Sequence, residues 1–395
     1  MLAELVPWLE LALRWIHVLT AIAWIGASFY FIWLDGNLRP TKGETAVAGE
    51  LWAVHGGGFY HNQKYLVAPT KLPPDLHWFK YEAYFTWISG FLLLAVMYYA
   101  GASIFLIDQA KVALTPAQAI AISLAFLAGG WIVYDILCRS SLGQKTSIFA
   151  LIWFGVLTAA AYALTRIFSD RAAFLQVGAI IGTAMTANVF FVIIPNQKKV
   201  VASMLNNRIP DARLGIQAKQ RSLHNNYMTL PVILCMISNH FPMLFGSALN
   251  WLALSILSAA AISIRHFFNL RHKGKYEWWL IAFSVVLFVI AIIVANRRNE
   301  PAAPHSMVSM ATVSPRVRTL LNKHCVMCHS AKPIHEGFSA PPAGLDFTRD
   351  DVVLANTPRI ISQAVKLKIM PLGNETKMTE ADRATLGAGL SNRTK

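Results

Sequence analysis

Eight stretches of about 20 predominantly apolar residues recur along this chain, and each is long enough to cross a bilayer as a helix. Their approximate limits are 8–34, 78–100, 116–138, 145–166, 172–194, 222–241, 247–269 and 276–296. The sixth is the weakest, since it opens with Ser222, His224, Asn225 and Asn226 and contains Pro231. Hydrophobic residues make up 55% of the 395 and charged residues 14%, with a mean hydropathy of +0.45. A typical soluble domain carries roughly 25% charged residues. This composition excludes a soluble enzyme, a disordered chain and a fibrous protein. The predicted fold is all-α: an integral membrane domain of about eight transmembrane helices over 1–296, then a smaller soluble part. Residues 297–315, RRNEPAAPHSMVSMATVSP, read as a Pro/Ala-rich linker, and 316–395 are polar enough to form one small helical domain in water.

The net charge of +15 would suggest nucleic acid in a soluble chain. Here the loops absorb it, and no nucleic-acid partner is expected. With the N-terminus outside, inner loops carry fifteen basic residues, among them Arg39, Lys64, Arg139, Lys198, Arg208, Arg221 and Arg271. Outer loops carry three: Lys111, Arg166 and Arg171. The positive-inside rule favours that orientation. Eight spans return the C-terminus to the outside, so the tail is expected in the periplasm of a bacterial inner-membrane protein. The first ten residues carry Glu4 and Glu10 and no Lys or Arg, unlike a cleavable signal peptide, so the first span is expected to stay.

Cys138 and Cys235 lie singly in apolar stretches, as small hydrophobes do. Cys325-Val326-Met327-Cys328-His329 is a C-x-x-C-H sequence, the attachment signature of a c-type haem. Two thiols at that spacing can add to the two vinyl groups of one porphyrin, and His329 then supplies the proximal nitrogen to iron. A zinc site would need further ligands, and the tail has no other Cys. A thioredoxin-like site would need a βαβ context. The tail is therefore predicted to be a class-I-like cytochrome c domain with one covalent haem c. A thioether sixth ligand raises the potential of an electron-transfer haem. Met370, 41 residues after His329 in a Pro-containing stretch, is the favoured one; Met378 is the alternative. Met378 precedes Thr379-Glu380-Ala381-Asp382, which reads as the capped start of a last helix. Met307, Met310 and Met327 are too early or lie within the haem turn.

Ionisable groups inside a span are expensive and usually functional. Arg14, His17, Lys80, Glu82, Asp135, His224, His240, Arg265 and His266 are the candidates, and most fall toward the inner half. Lys80 and Arg265 also suit snorkelling at the interface. His224 and His266 fall at matching depth on consecutive antiparallel helices, beside Asn226 and Arg265. That set suits a planar, anionic, hydrogen-bonding substrate, and it equally suits a bis-His haem b. His17, with Trp24 seven residues on and so on the same face, resembles the first helix of small membrane haem-b proteins of the HemJ and CopD kind. That resemblance makes His17 a candidate haem b iron ligand; the bland reading is a His hydrogen-bonded inside the bundle. The first inner loop, roughly 43 residues, is longer than structureless connectors usually are. It contains His55-Gly56-Gly57-Gly58-Phe59-Tyr60-His61 and matches no phosphate-binding loop.

The chain as a whole resembles the PuuD-type membrane urate hydroxylase family, in which a urate-oxidase N-terminal membrane domain is fused to a cytochrome c. The residues carrying the resemblance are the His17–Trp24–Gly26 helix, HGGGFY at 55–60, and the stretch Trp78-Phe79-Lys80-Tyr81-Glu82 running to Gly90. Others are Ile194-Pro195-Asn196-Gln197-Lys198, Leu223-His224-Asn225-Asn226-Tyr227, CVMCH at 325–329 and MPLGN at 370–374. The resemblance implies a purine-catabolism oxidoreductase that turns urate into 5-hydroxyisourate, with electrons passing to haem c and on to a respiratory acceptor rather than directly to oxygen. With urate as substrate, the polar cluster at matching depth makes His224 and His266 the candidate catalytic residues and Asn226 and Arg265 the candidate urate ligands. Urate arises in the cytoplasm, so an inward-facing pocket needs no export step. Haem c accepts one electron at a time, so a haem b in the membrane domain is a candidate second carrier. The rival reading is a membrane-anchored cytochrome c that relays electrons from quinol or another donor.

Overall fold

The computed structural model describes residues 2–41, 47–69, 71–108, 111–245, 247, 249–297, 312–335, 341–366, 368, 370–371 and 374–391. Most of the expected linker, with Met307 and Met310, and Leu372 and Gly373 of MPLGN lie outside the described residues. The chain is mostly helical. The first part contains α1 (Leu2–Asn37), strands β1 (Val47–His55) and β2 (Gly58–Tyr65), and then α2 (Tyr81–Leu93), α3 (Pro116–Arg139) and α4 (Thr146–Ile167). It continues with α5 (Asp170–Ala187), α6 (Ile194–Leu205), α7 (Ala212–Ile237), α8 (Asn250–Arg271) and α9 (Trp279–Ala295). The tail holds α10 (Pro315–His324), α11 (Asp350–Ala355), α12 (Thr357–Ile360) and α13 (Glu380–Ser391).

Local chemistry sets these boundaries. Thr115 caps α3 with a capping box: Thr115 Oγ1 accepts from Gln118 N at 3.3 Å, and Gln118 Oε1 accepts from Thr115 N at 2.9 Å. Pro116 follows at the first turn, where its missing N–H costs nothing. Asp211 caps α7 by accepting from Arg213 N at 2.9 Å, so that helix starts ten residues before the apolar run does. A π-helical turn at Asn188–Ile193 joins α5 to α6, next to Pro195, which cannot donate into the ladder.

Among the described residues, five helices are long and apolar enough to cross a membrane, which is compatible with a membrane protein: α1 from Leu5, α3, α4, the continuous α5–α6 run and α8. The other three expected spans depart from that standard for visible reasons. α2 passes into π-helical turns after Leu93, α7 carries Arg213, Lys219 and Arg221 in its first ten residues, and α9 is only 17 residues long. Helix α5 is central and packs on α2, α3, α4 and α7, with 67% of its apolar window buried. Helix α1 is peripheral and packs on α2 and α7, with none of its window buried. Trp8, Trp15, Leu19 and Ile22 stand exposed along it, as an apolar solvent permits.

Among the described residues, one segment departs from all-α. The long first loop folds as an antiparallel hairpin in which Trp52 faces His61 and Val54 faces Phe59. Its turn has Gly56 at φ 57° and Gly57 at φ 81°, the positive-φ pair that tight hairpins demand. The glycine triplet is thus turn chemistry. Lys64 Nζ pairs with Asp35 Oδ1 at 2.5 Å and ties the hairpin back to α1.

In the tail, α10 packs on α13 around Val317, Leu321, Val353, Leu386 and Leu390, all nearly inaccessible. The capped start at Thr379 is present: Thr379 Oγ1 accepts from Asp382 N, and Asp382 Oδ2 accepts from Thr379 N, each at 3.1 Å.

Candidate functional site

Two groups of functional side chains are separated along the chain. In the tail, α10 ends at His324, and the next residues wind into a tight turn in which His329 N donates to Cys325 O at 2.8 Å. This brings Cys325, Cys328 and His329 to one wall of a cavity of about 750 Å³, within the range of cofactor pockets. Met370 and Pro371 line it as well. Cys325 and Cys328 are both free thiols. Burial pushes the Cys325 thiol up to about 12, and burial reinforced by Glu375 raises Cys328. The His329 ring stacks on Phe347 with centroids 4.5 Å apart, and its Nδ1 lies 3.1 Å from the Leu345 carbonyl. Donation to that carbonyl leaves Nε2 as the ligating nitrogen. Burial lowers the His329 pKa, and the bond to Leu345 offsets part of that; the net direction favours the neutral ring that ligation requires. These residues fit a c-type haem. Met378 lies elsewhere, 4% exposed in the tail core. The cavity's other wall belongs to the first part of the chain and includes Lys111, Arg166 and Arg171. Arg359 crosses between the two parts, its Nε donating to the Ile104 carbonyl at 2.5 Å.

In the helical part, α7 presents polar residues on two sides. His224 and Asn226 are two residues apart, hence about 200° around the helix. His224 turns toward α3 and α4, with Nδ1 2.9 Å from Tyr134 Oη and its ring stacked on Phe149 at 4.4 Å. A buried network continues from it. Asn188 Nδ2 donates to Tyr134 Oη at 3.0 Å and to Asn225 Oδ1 at 2.8 Å; Arg221 Nη1 donates to Asn188 Oδ1 at 3.0 Å. Arg221 pairs with Asp135, and Asp135 in turn with Arg139.

Asn226 faces α8. Its Oδ1 accepts from Arg265 Nε at 2.9 Å and from Asn269 Nδ2 at 3.0 Å. The Arg265 guanidinium lies over Phe29 of α1, 3.8 Å from the ring centroid. Arg265 is 4% exposed, has no carboxylate partner among the described residues, and its Nη2 has no hydrogen-bond partner. An interior cation in that state is rare and expensive. His266 Nδ1 lies 2.7 Å from Tyr227 Oη. The four expected site residues therefore divide: Asn226 and Arg265 touch, His266 is engaged through Tyr227, and His224 is held on the α3 side.

His17 Nδ1 lies 2.9 Å from the Thr86 carbonyl and 3.3 Å from Ser89 Oγ, joining α1 to α2. Its ring presses on Gly90, where an added Cβ would come within 2.8 Å of Cε1. Donation to Thr86 leaves Nε2 as the free ligating atom, so His17 has the character of an iron ligand or of a satisfied interior His. Arg14 sits near it, its Nη2 donating to Met97 Sδ at 3.1 Å. Sequence reasoning missed Tyr134, Asn188 and Asn269. The available signal was an uncharged polar side chain inside an apolar run, which a survey of ionisable groups passes over.

Residues 3–296 match the family model described as urate oxidase N-terminal. Comparison with curated proteins and with solved structures finds no match.

Proposed function

This chain belongs to the urate oxidase N-terminal family, and we propose that it is a membrane-bound urate hydroxylase whose electrons leave through a haem c in its own tail. The family supports a urate-related oxidoreductase. The observation that carries the finer reading is Arg265, a buried guanidinium with an unpartnered Nη2, suited to the urate anion. The reaction balances as urate plus water giving 5-hydroxyisourate, two protons and two electrons.

Arg265 and Asn226 bind and orient urate. His266, with Nδ1 tied to Tyr227, takes a proton from the attacking water through Nε2, whereas His224 is held by Tyr134 on the other side of α7. The ordinary pKa of His lies near working pH, which suits the role. Cys325 and Cys328 hold the haem c covalently, with His329 and Met370 as its iron ligands. That haem, when bound, supplies a one-electron acceptor. His17 is the proposed iron ligand of a haem b in the helical part, a second one-electron carrier. The eight apolar helices form a transmembrane bundle in a bacterial inner membrane, with the N-terminus and the cytochrome tail on the periplasmic side. Lipid surrounds the bundle, and a respiratory acceptor takes the electrons onward.

Purified protein incubated anaerobically with urate should show reduction of its c-haem band. Reduction by quinol but not by urate would establish the relay reading instead. A pyridine haemochrome assay on the same sample counts haem b against haem c, and covalent haem should vanish in Cys325→Ala/Cys328→Ala.

A further inference from the structure

Two buried polar atoms on one turn of α8 lack partners: Arg265 Nη2, a charged donor, and Asn269 Oδ1, a neutral acceptor. Arg265 and Asn269 are four residues apart and share a helix face. Both reach the same atom, Asn226 Oδ1, at 2.9 and 3.0 Å. That shared acceptor fixes the Asn269 amide. Its nitrogen must face Asn226, since the flipped amide would set oxygen against oxygen. Asn226 is fixed in turn by accepting both bonds, and its Nδ2 donates to Ser28 Oγ at 3.4 Å. The orphaned acceptor is thus a consequence of the network and not of an arbitrary amide assignment.

Interior polar atoms are almost always paired, and an orphan costs its full desolvation penalty. A charged donor and a neutral acceptor orphaned on two residues that share one acceptor complement one chemical feature, an adjacent C=O and N–H on a planar ring. We propose that Arg265 and Asn269 together read an amide edge of the purine trione, Arg265 donating to the carbonyl and Asn269 accepting from the neighbouring N–H. This rests on the urate reading above and adds to it a specificity-determining residue. Phe29 of α1 lies over the guanidinium, 3.8 Å from it, so a flat ring that stacks there takes the place Phe29 now holds.

Asn269 also explains selection. Methylating the contacted ring nitrogen deletes the donor and leaves the acceptor unpaired, which one hydrogen bond's worth of discrimination converts to a tenfold to hundredfold loss of affinity.

Equilibrium binding to full-length, dithionite-reduced holoprotein tests this, because the reduced protein binds urate without oxidising it. The probes are urate and its single N-methyl isomers. The wild type should reject one isomer about tenfold to a hundredfold more than the others. Asn269→Leu should lose that much urate affinity while treating the isomer and urate alike. Asn269→Ser, which keeps an oxygen acceptor, should retain the discrimination with an unchanged c-haem spectrum. Equal loss of every ligand in both variants would mean a merely structural role and overturn the proposal. So would wild-type affinity and selectivity in Asn269→Leu. A wild type that binds no urate at all would overturn the urate reading itself and this proposal with it.

Discussion

Arg221 and Asp135 form an ion pair, Nη2 to Oδ1 at 2.7 Å, that joins α7 to α3, with the Arg221 side chain only 5% exposed and Asp135 half-buried. Arg221 also carries Asn188 and, through it, Tyr134 and His224. Removing one partner of such a pair strands the other, at roughly 3–5 kcal/mol when the site is fully buried. Asp135 keeps Arg139 as a second partner, at 2.6 Å, so the low end applies. Arg221→Leu should therefore cost about 3 kcal/mol in detergent melts. The double variant Asp135→Leu/Arg221→Leu should recover much of that loss, and a double variant worse than the single would contradict this account.

Arg383 is 4% exposed and spans the tail, its Nη1 donating to the Met370 carbonyl at 2.7 Å and to the carbonyl of Ala364. It positions the Met370 loop against the cavity that Cys325, Cys328 and His329 line. Met370→His should lower the reduction potential and abolish the near-infrared methionine–iron band. Arg383→Met should weaken the same band without removing covalent haem. Met378→Ala opens a cavity in the tail core and should cost about 2–5 kcal/mol of stability, with the band intact. Loss of the band in Met378→Ala alone would reassign the ligand.

Arg265→Leu should raise KM for urate by about a hundredfold, as expected for one buried charged contact, and leave the c-haem spectrum unchanged. His266→Ala should lower kcat with little change in KM. Loss of a b-type absorbance in His266→Ala would make that residue a haem ligand instead, and the defect would then lie in electron transfer.

Hydrogen bonds from the Thr379 backbone and hydroxyl hold the Asp382 carboxyl below its ordinary value of 3.8. A carboxyl depressed in the folded state stabilises fully above its unfolded pKa, and that contribution is lost as pH falls through the folded one. Hydrogen exchange in α13 should therefore be faster in Asp382→Asn than in wild type near neutral pH. The difference should disappear in strong acid. A difference that persists there would show that capping by charge is not the cause.

Much of this protein follows from its residues in order. Apolar runs longer than a bilayer is thick have to be helical, since no other local structure satisfies their backbone without water. Thr379 and Asp382 announce α13 because a capping box needs only four consecutive residues. Cys325, Cys328 and His329 announce their turn for the same reason: the chemistry is local. Helical geometry likewise sets His224 and Asn226 on opposite sides of α7. What stands on each side is a property of other helices. Tyr134 and Phe149 meet His224, and Arg265 and Asn269 meet Asn226, only because α3, α4 and α8 pack where they do. The unpartnered Nη2 of Arg265 is of that kind too, since whether that guanidinium finds a carboxylate depends on every neighbour at once. A single chain position carries no record of its neighbours' distances, and packing alone supplies it.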